Sequence, residues 1–236
     1  MIRKVLPVYL FLFILTWTDC SAQNRITMEV EPFRELVVSG RVDVELIHAS
    51  SGEMSITSSN GQPGLVEVTF RDGELKLKVP TRINKDDMIS IRLPYTKLKR
   101  IKALAGAKIN SARDLTGETL ELEAGTGGKI ELSVGAEKII ANISQVSDIV
   151  LYGKVQSQQV TVNTGGNYLA YDLECSETNI RVVSGSQGKV KASSMLDATA
   201  NTKGYIGYMG DPEIVETKTR LGGEIEHVKS RSEDDY

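Results

Sequence analysis

From residue 105 onward, apolar residues return at a nearly fixed interval, and that interval limits the fold more than any other feature of the chain. One series is Ile109, Ile130, Ile149, Tyr168, Val190 and Ile206, at spacings of 21, 19, 19, 22 and 16 residues. A second series runs between them: Leu120, Ile139, Val160, Ile180 and Leu196, at 19, 21, 20 and 16. Two interleaved series with one period of about 20 residues describe a coil that carries at least two short strands and repeats along an axis. Stacked coils place equivalent residues above one another and bury a continuous core. A glycine precedes most members of the first series by two or three residues: Gly106, Gly128, Gly166, Gly188 and Gly204, with Ser147 standing in once. These glycines are expected at corners, where the backbone needs positive φ.

Strand alternation then assigns the inward positions. If Ile149 points in, so does Leu151, and the matching pairs are Ile109/Ser111, Ile130/Leu132, Tyr168/Ala170, Val190/Ala192 and Ile206/Tyr208. Most are small or apolar, as a narrow interior requires. A β-sandwich with accidental regularity is the competing reading. Upstream, Val42-Asp43-Val44-Glu45-Leu46, Leu75-Lys76-Leu77-Lys78-Val79 and Ile89-Ser90-Ile91-Arg92-Leu93 alternate in the same way. Ser39-Gly40, Asn60-Gly61 and Asp72-Gly73 mark turns between strands. Thr81–Asp87 is the one place where a helical turn is expected. The chain therefore reads as all-β: a parallel β-helix-like solenoid over 105–215, strands of 23–104 packed on it or continuing it, and a polar tail over 216–236.

The N-terminus has a different character. Arg3 and Lys4 precede an apolar run from Val5 to Trp17, the pattern of an export signal and too short for a confident membrane span. Cys20 and Ala22 are small residues at the third and first positions before a cut between Ala22 and Gln23, so 1–22 reads as a cleaved signal peptide. A rival reading makes Cys20 a lipidated cysteine, although Trp17, Thr18 and Asp19 are not the small residues that lipidation prefers. No later apolar stretch is long enough to cross a bilayer. Cleavage would leave 214 residues with 26 basic and 30 acidic side chains, net −4. A mildly acidic chain without basic clusters argues against nucleic acid as a partner. Only Cys175 would remain, so no internal disulfide is expected, and with no histidine nearby a structural role is favoured over a nucleophilic one.

The strands carry a resemblance. The segment Phe33-Arg34-Glu35-Leu36-Val37-Val38-Ser39-Gly40-Arg41-Val42-Asp43-Val44 is similar to the opening of the DUF2807 family, described as putative auto-transporter adhesin, head GIN domain, and common in Bacteroidetes. Asp72-Gly73-Glu74-Leu75, Ile91-Arg92-Leu93-Pro94 with Leu98 and Ile101, the repeat Ser184-Gly185-Ser186, and the closing Tyr208-Met209-Gly210-Asp211-Pro212 resemble it in the same order. The repeats at Ser144-Gln145-Val146-Ser147 and Asn163-Thr164-Gly165-Gly166 depart from the family's Gly-Ser-Gly pattern. The resemblance spans roughly 30–215 and implies a right-handed β-helix-like fold, an envelope location in periplasm or at the cell surface, and no catalytic residues.

The residues offer little reactive chemistry. His48 and His227 lie far apart and neither has metal-ligand spacing. Gly127-Gly128-Lys129 lacks the carboxylate of a calcium-binding repeat, and Ser184 has no histidine partner. Asp86-Asp87 reads as a solvated turn. Polysaccharide-cleaving β-helices carry carboxylates on long loops, for which the tight coil spacing leaves no room. No catalytic, cofactor or metal residues are therefore expected, and a carbohydrate-active enzyme is the least supported reading. One surface stands out. Outward positions are polar in most coils, as in Lys129, Glu131 and Ser133, but two neighbouring coils present Val150 and Tyr152, then Leu169 and Tyr171, 19 residues on. A contiguous apolar-aromatic patch of this kind meets something. The first expectation is that 30–104 folds over it. The alternatives are a second copy in a homo-oligomer, a partner protein or a glycan.

Intact-mass measurement of the protein recovered from the cell envelope is expected to give a chain beginning at Gln23. A diacylglyceryl group on Cys20 would instead establish the lipoprotein route.

Overall fold

The computed structural model describes residues 24–50, 52–59, 62–80 and 88–229. The segment read as an export signal with Ala22 and Gln23, the expected helical turn at Thr81–Asp87 with Asp86-Asp87, and residues 230–236 lie outside these ranges. Apart from one 3-10 turn at Pro63–Leu65, every element is a strand. The first nine are β1 (Arg25–Glu29), β2 (Glu35–Ser39), β3 (Asp43–His48), β4 (Glu53–Ser58), β5 (Glu67–Arg71), β6 (Glu74–Lys78), β7 (Ile89–Tyr95), β8 (Arg100–Leu104) and β9 (Lys108–Ser111). The remainder are β10 (Leu115–Gly125), β11 (Lys129–Ile143), β12 (Asp148–Val162), β13 (Asn167–Leu169), β14 (Leu173–Val182), β15 (Gln187–Lys191), β16 (Met195–Asn201), β17 (Tyr205–Met209), β18 (Ile214–Arg220) and β19 (Glu224–His227).

The strands form a β-solenoid of about 7 turns with coils of about 19 residues. One side stacks β6, β2, β8, the later part of β10, and then β11, β12, β14, β16 and β18 in parallel. The other stacks β7, β3, β9, the start of β11, and then β12, β13, β15, β17 and β19, also in parallel. Long strands β11 and β12 serve both sides, and their mutual pairing skips Glu137 and Gln156 where the chain bends. Parallel order is expected of a coil, because each strand can meet its successor only after the chain has gone once around.

From β8 onward the corner leading from the first side to the second is built one way, whereas the β2–β3 corner has Gly40 alone at positive φ. Two consecutive residues take left-handed φ: Ala105-Gly106, Thr126-Gly127, Gln145-Val146, Thr164-Gly165, Ser184-Gly185, Thr202-Lys203 and Leu221-Gly222. Their amides bond to the next corner in the stack, as in Gly106 N–H to Thr126 O at 3.1 Å and Gly127 N–H to Gln145 O at 3.1 Å. The repeat is therefore locked by backbone bonds at the bend as well as along the strands.

Three features differ from the sequence expectation. First, positive φ explains Gly106 but not Gly128, Gly166, Gly188 or Gly204, whose φ values are ordinary. Those glycines answer a packing constraint. A Cβ on Gly128 would stand 2.1 Å from the Ala103 carbonyl oxygen, and one on Gly204 would stand 2.6 Å from that of Val182. Second, the outlying spacings of 22 and 16 vanish once register replaces apolarity: Gly188, not Val190, lies between Tyr168 and Ile206. In the other series Ile139 stacks on Gln158, then Thr178, then Leu196. Third, residues 30–104 do not fold over the Val150–Tyr171 surface. β2 and β3 insert between β6/β7 and β8/β9 and extend the stack at its N-terminal end, where β4 with β1 and, on the other side, β5 add antiparallel strands. The stack also runs beyond 215, since β18 and β19 lie within the segment read as tail.

Two glycine substitutions separate the corner constraints. Gly127→Ala adds a methyl at positive φ into open space and is expected to cost about 1 kcal/mol. Gly128→Ala drives a methyl into the Ala103 carbonyl and is expected to cost about 3 kcal/mol, read as the larger fall in urea midpoint.

Candidate functional site

On the second side, one outward column reads Glu131, Val150, Leu169, Lys189 and Gly207. Val150 and Leu169 sit side by side in register and make an apolar floor. Beside this floor the stacking slips. Val150 pairs with Leu169 at an offset of 19, but Gly153 pairs with Leu173 at an offset of 20. The extra residue forms a tight turn at Tyr171-Asp172, closed by the Leu173 N–H on the Ala170 carbonyl at 3.2 Å. Tyr171 is thereby lifted off the ladder and away from strict stacking on Tyr152. Its ring lies toward the next coils, with Lys189 Nζ 5.9 Å from the ring centroid. Its hydroxyl occupies the place a Cβ on Gly207 would need, 2.2 Å away. Tyr171 is 7% exposed, whereas Tyr152 keeps 38% of its surface open.

The result is a cleft of about 330 Å³. Val150, Leu169 and the two tyrosines supply its apolar surface, Lys129, Glu131 and Asp172 supply its charged rim, and Lys189, only 6% exposed, lines it beside Tyr171. The Tyr152 hydroxyl donates to Glu131 at 3.3 Å, and Lys129 pairs with the same carboxylate group at 3.0 Å. Partial burial, helped by the Glu131 charge, pushes the Tyr152 phenol up from its ordinary range. All four residues of the sequence-derived patch line this cleft. Sequence reasoning missed Gly207, although a glycine inside the strand Tyr205-Ile206-Gly207-Tyr208 is itself a sign of close approach.

Behind the floor the core is polar at one level. Tyr168, directly preceding Leu169, points inward and is fully buried. Its hydroxyl donates to Gln158 Oε1 at 2.6 Å, Gln158 Nε2 donates to Thr178 Oγ1 at 2.9 Å, and Thr178 donates to the Lys191 carbonyl at 3.2 Å. The chain is connected from end to end, which is the condition under which buried polar groups are tolerated. It ties β13, β12, β14 and β15 together beneath the cleft. Desolvation holds the Tyr168 phenol well above its usual value.

The remaining candidates are dispersed. His48 stands edge-on to Tyr95 at 5.4 Å, and His227 stacks on Tyr208 at 4.7 Å in β19, so the two histidines belong to opposite ends of the stack. Cys175 is buried, and desolvation pushes its thiol up, away from the reactive thiolate. Ser184 and Gly185 form one of the left-handed corners. Among the described residues no group of three His, Cys, Asp or Glu side chains is placed to hold a metal ion. No described helix is long and apolar enough to cross a membrane.

A stack of near-identical coils with a lateral cleft defines the protein as a β-solenoid. The chain belongs to the DUF2807 family, described as putative auto-transporter adhesin, head GIN domain, which it matches over residues 32–212. Its fold is shared by a putative adhesin from Bacteroides fragilis, with a TM-score of 0.73 at 20% identity over 86% of this chain and 97% of that one. A putative adhesin from Parabacteroides merdae matches with a TM-score of 0.70 at 18% identity over 86% and 95% of the two chains. A putative lipid binding protein from Parabacteroides distasonis matches with 0.66 at 18% over 87% and 97%. Among curated proteins none matches the chain in sequence.

The polar chain gives a pH prediction. Because the folded-state value of Tyr168 lies above its ordinary 10.0, its stabilising share is complete below about pH 10 and is lost as pH rises through the folded value. Tyr168→Phe is expected to cost about 1–3 kcal/mol at neutral pH, since Gln158 loses its donor. The variant's urea midpoint should then fall less steeply than that of the wild type above pH 10.

Proposed function

We propose that the protein is an exported, non-catalytic binding module of the cell envelope, and that its ligand is a saccharide held in the cleft beside Tyr152. The observation that carries this reading is the pairing of an apolar floor with a charge-balanced lining. Lys129 and Lys189 are matched in number by Glu131 and Asp172, so the lining favours neither an anion nor a cation. A neutral ring with one apolar face and a hydroxylated edge suits both surfaces at once. Its C–H face lies on Val150, Leu169 and the open part of the Tyr152 ring, and its hydroxyls meet the charged rim. The volume of about 330 Å³ is at the small end for ligand sites and fits one or two sugar rings. The N-terminal segment Met1–Ala22 supports export, and the adhesin descriptions of the family and of two structural relatives support a binding role.

The test is a saccharide array probed with the mature chain and with Tyr152→Ser. Binding by the wild type, weakened roughly tenfold or more in the variant with an unchanged melting curve, is the expected result, since loss of an aromatic contact typically costs over 1 kcal/mol. A blank array, together with a protein partner captured through the same face and lost on Tyr152→Ser, would replace the saccharide with a protein ligand.

A further inference from the structure

We infer that the open C-terminal edge of the stack pairs with a second copy of this chain, β18 against β18 in antiparallel fashion across a two-fold axis through Thr217. The two ends of the solenoid are finished differently. At the N-terminal end, β4 and β5 add antiparallel strands to β7 and β6, β1 adds to β4, and Pro63 and Val66 are buried there. At the other end β18 bonds to β16 and β19 to β17, and among the described residues neither strand has a partner beyond. All seven residues of β18 are exposed, and Ile214, Val215 and Leu221 present 53%, 45% and 77% of their surfaces.

The charges of β18 point to what covers it. On the same side of the stack, charged residues of the first coils pair along their columns. Arg100 bridges Glu35 at 2.9 Å and Glu121 at 2.8 Å, and Lys102 meets Glu123 at 2.7 Å. Glu216 has no such partner, because its neighbour one coil back is Asp197, and Lys218 stacks on Thr199. Neither Glu216 nor Lys218 has an ion-pair partner among the described residues. A second copy supplies both. With Thr217 opposite Thr217, Glu216 faces Lys218 of the second copy and Lys218 faces its Glu216, while Val215 faces Thr219. Moving the register by two one way opposes Glu216 to Glu216, and the other way opposes Lys218 to Lys218 while bringing Glu216 opposite Arg220. The alignment on Thr217 is the one of these three without a like-charge pair, which is the self-complementarity an isologous dimer requires. The contact is confined to β18, because self-pairing of β19 would bring the carboxylates of Glu224 and Glu226 together. One strand edge buries little area, so the association is weak and salt-sensitive.

Sedimentation equilibrium of the full mature chain up to about 1 mM, the range of weak complexes, tests this. A dimer at low salt is expected. Glu216→Lys and Lys218→Glu should each weaken it roughly tenfold or more through two like-charge cross-strand pairs. The double variant, with both charges exchanged, should restore it. Glu216→Lys also places a cation above Asp197, so its melting temperature should not fall, which separates loss of pairing from loss of fold. A monomer at every concentration, or a dimer indifferent to the single exchanges, would overturn the inference. So would a dimer formed only after removal of residues 230–236, since the edge would then belong to the chain's own tail.

Discussion

Everything in this fold depends on the left-handed two-residue corner. A strand ladder alone does not fix how many residues make a coil, because the chain could slide by two and keep every side chain on its own face. The corner removes that freedom. Its amides bond to the corner one coil away, so the corners must lie over each other and the chain between them must have nearly constant length. The price is a backbone conformation that L-residues dislike, and Ala105, Thr126, Gln145, Val146, Thr164, Ser184, Thr202, Lys203 and Leu221 all adopt it. Glycine at the second position relieves this in most coils. Val146 and Lys203 show that the stack can impose the conformation where glycine is lacking.

This explains which parts of the fold are legible in the sequence. The coil of about 19 residues shows because corner and core repeat together. The apolar series misassigns some columns because apolarity is not what register conserves along the stack. Gln158 and Thr178 occupy the column of Ile139 and Leu196, and nothing in their side chains announces burial until Tyr168 is seen to complete their hydrogen bonds. The corner glycines were visible, but two physical causes were merged in them: φ at Gly106 and Gly127, and the lack of a Cβ at Gly128 and Gly204. β18 and β19 escaped notice because a terminal coil is solvated on the side where an interior coil would be apolar, so its inward positions become Thr217 and Thr219.

The cleft is a local departure from the same regularity. Alternation correctly groups Val150, Tyr152, Leu169 and Tyr171 on one face, because within a strand the outward parity holds regardless of register. It cannot say that one residue is inserted before Leu173. That insertion turns a flat patch into a concave one, since Tyr171 leaves the row of Tyr152 and settles over Gly207. A repeat protein gains a site where one repeat breaks step, and the neighbouring repeats must accommodate the break. Here Gly207 gives the space, and the Tyr168–Gln158–Thr178 chain holds the coils together directly beneath.

The cleft and the open edge are consequences of one economy. Interior coils satisfy their backbone groups and many of their charges with the coils above and below, so their outer faces have little left to offer a partner. Unsatisfied chemistry can remain only where stacking is interrupted, either sideways, where an inserted residue opens a cleft, or at an end, where stacking stops. At the N-terminal end three antiparallel strands, β1, β4 and β5, continue the sheets. At the C-terminal end a short strand of alternating threonines and opposite charges keeps the edge soluble without closing it, as exposed edges in native proteins do. A random set of charges would serve that purpose equally well. The order Glu216-Thr217-Lys218 does more, because centred on Thr217 it meets a second copy of itself without a like-charge pair.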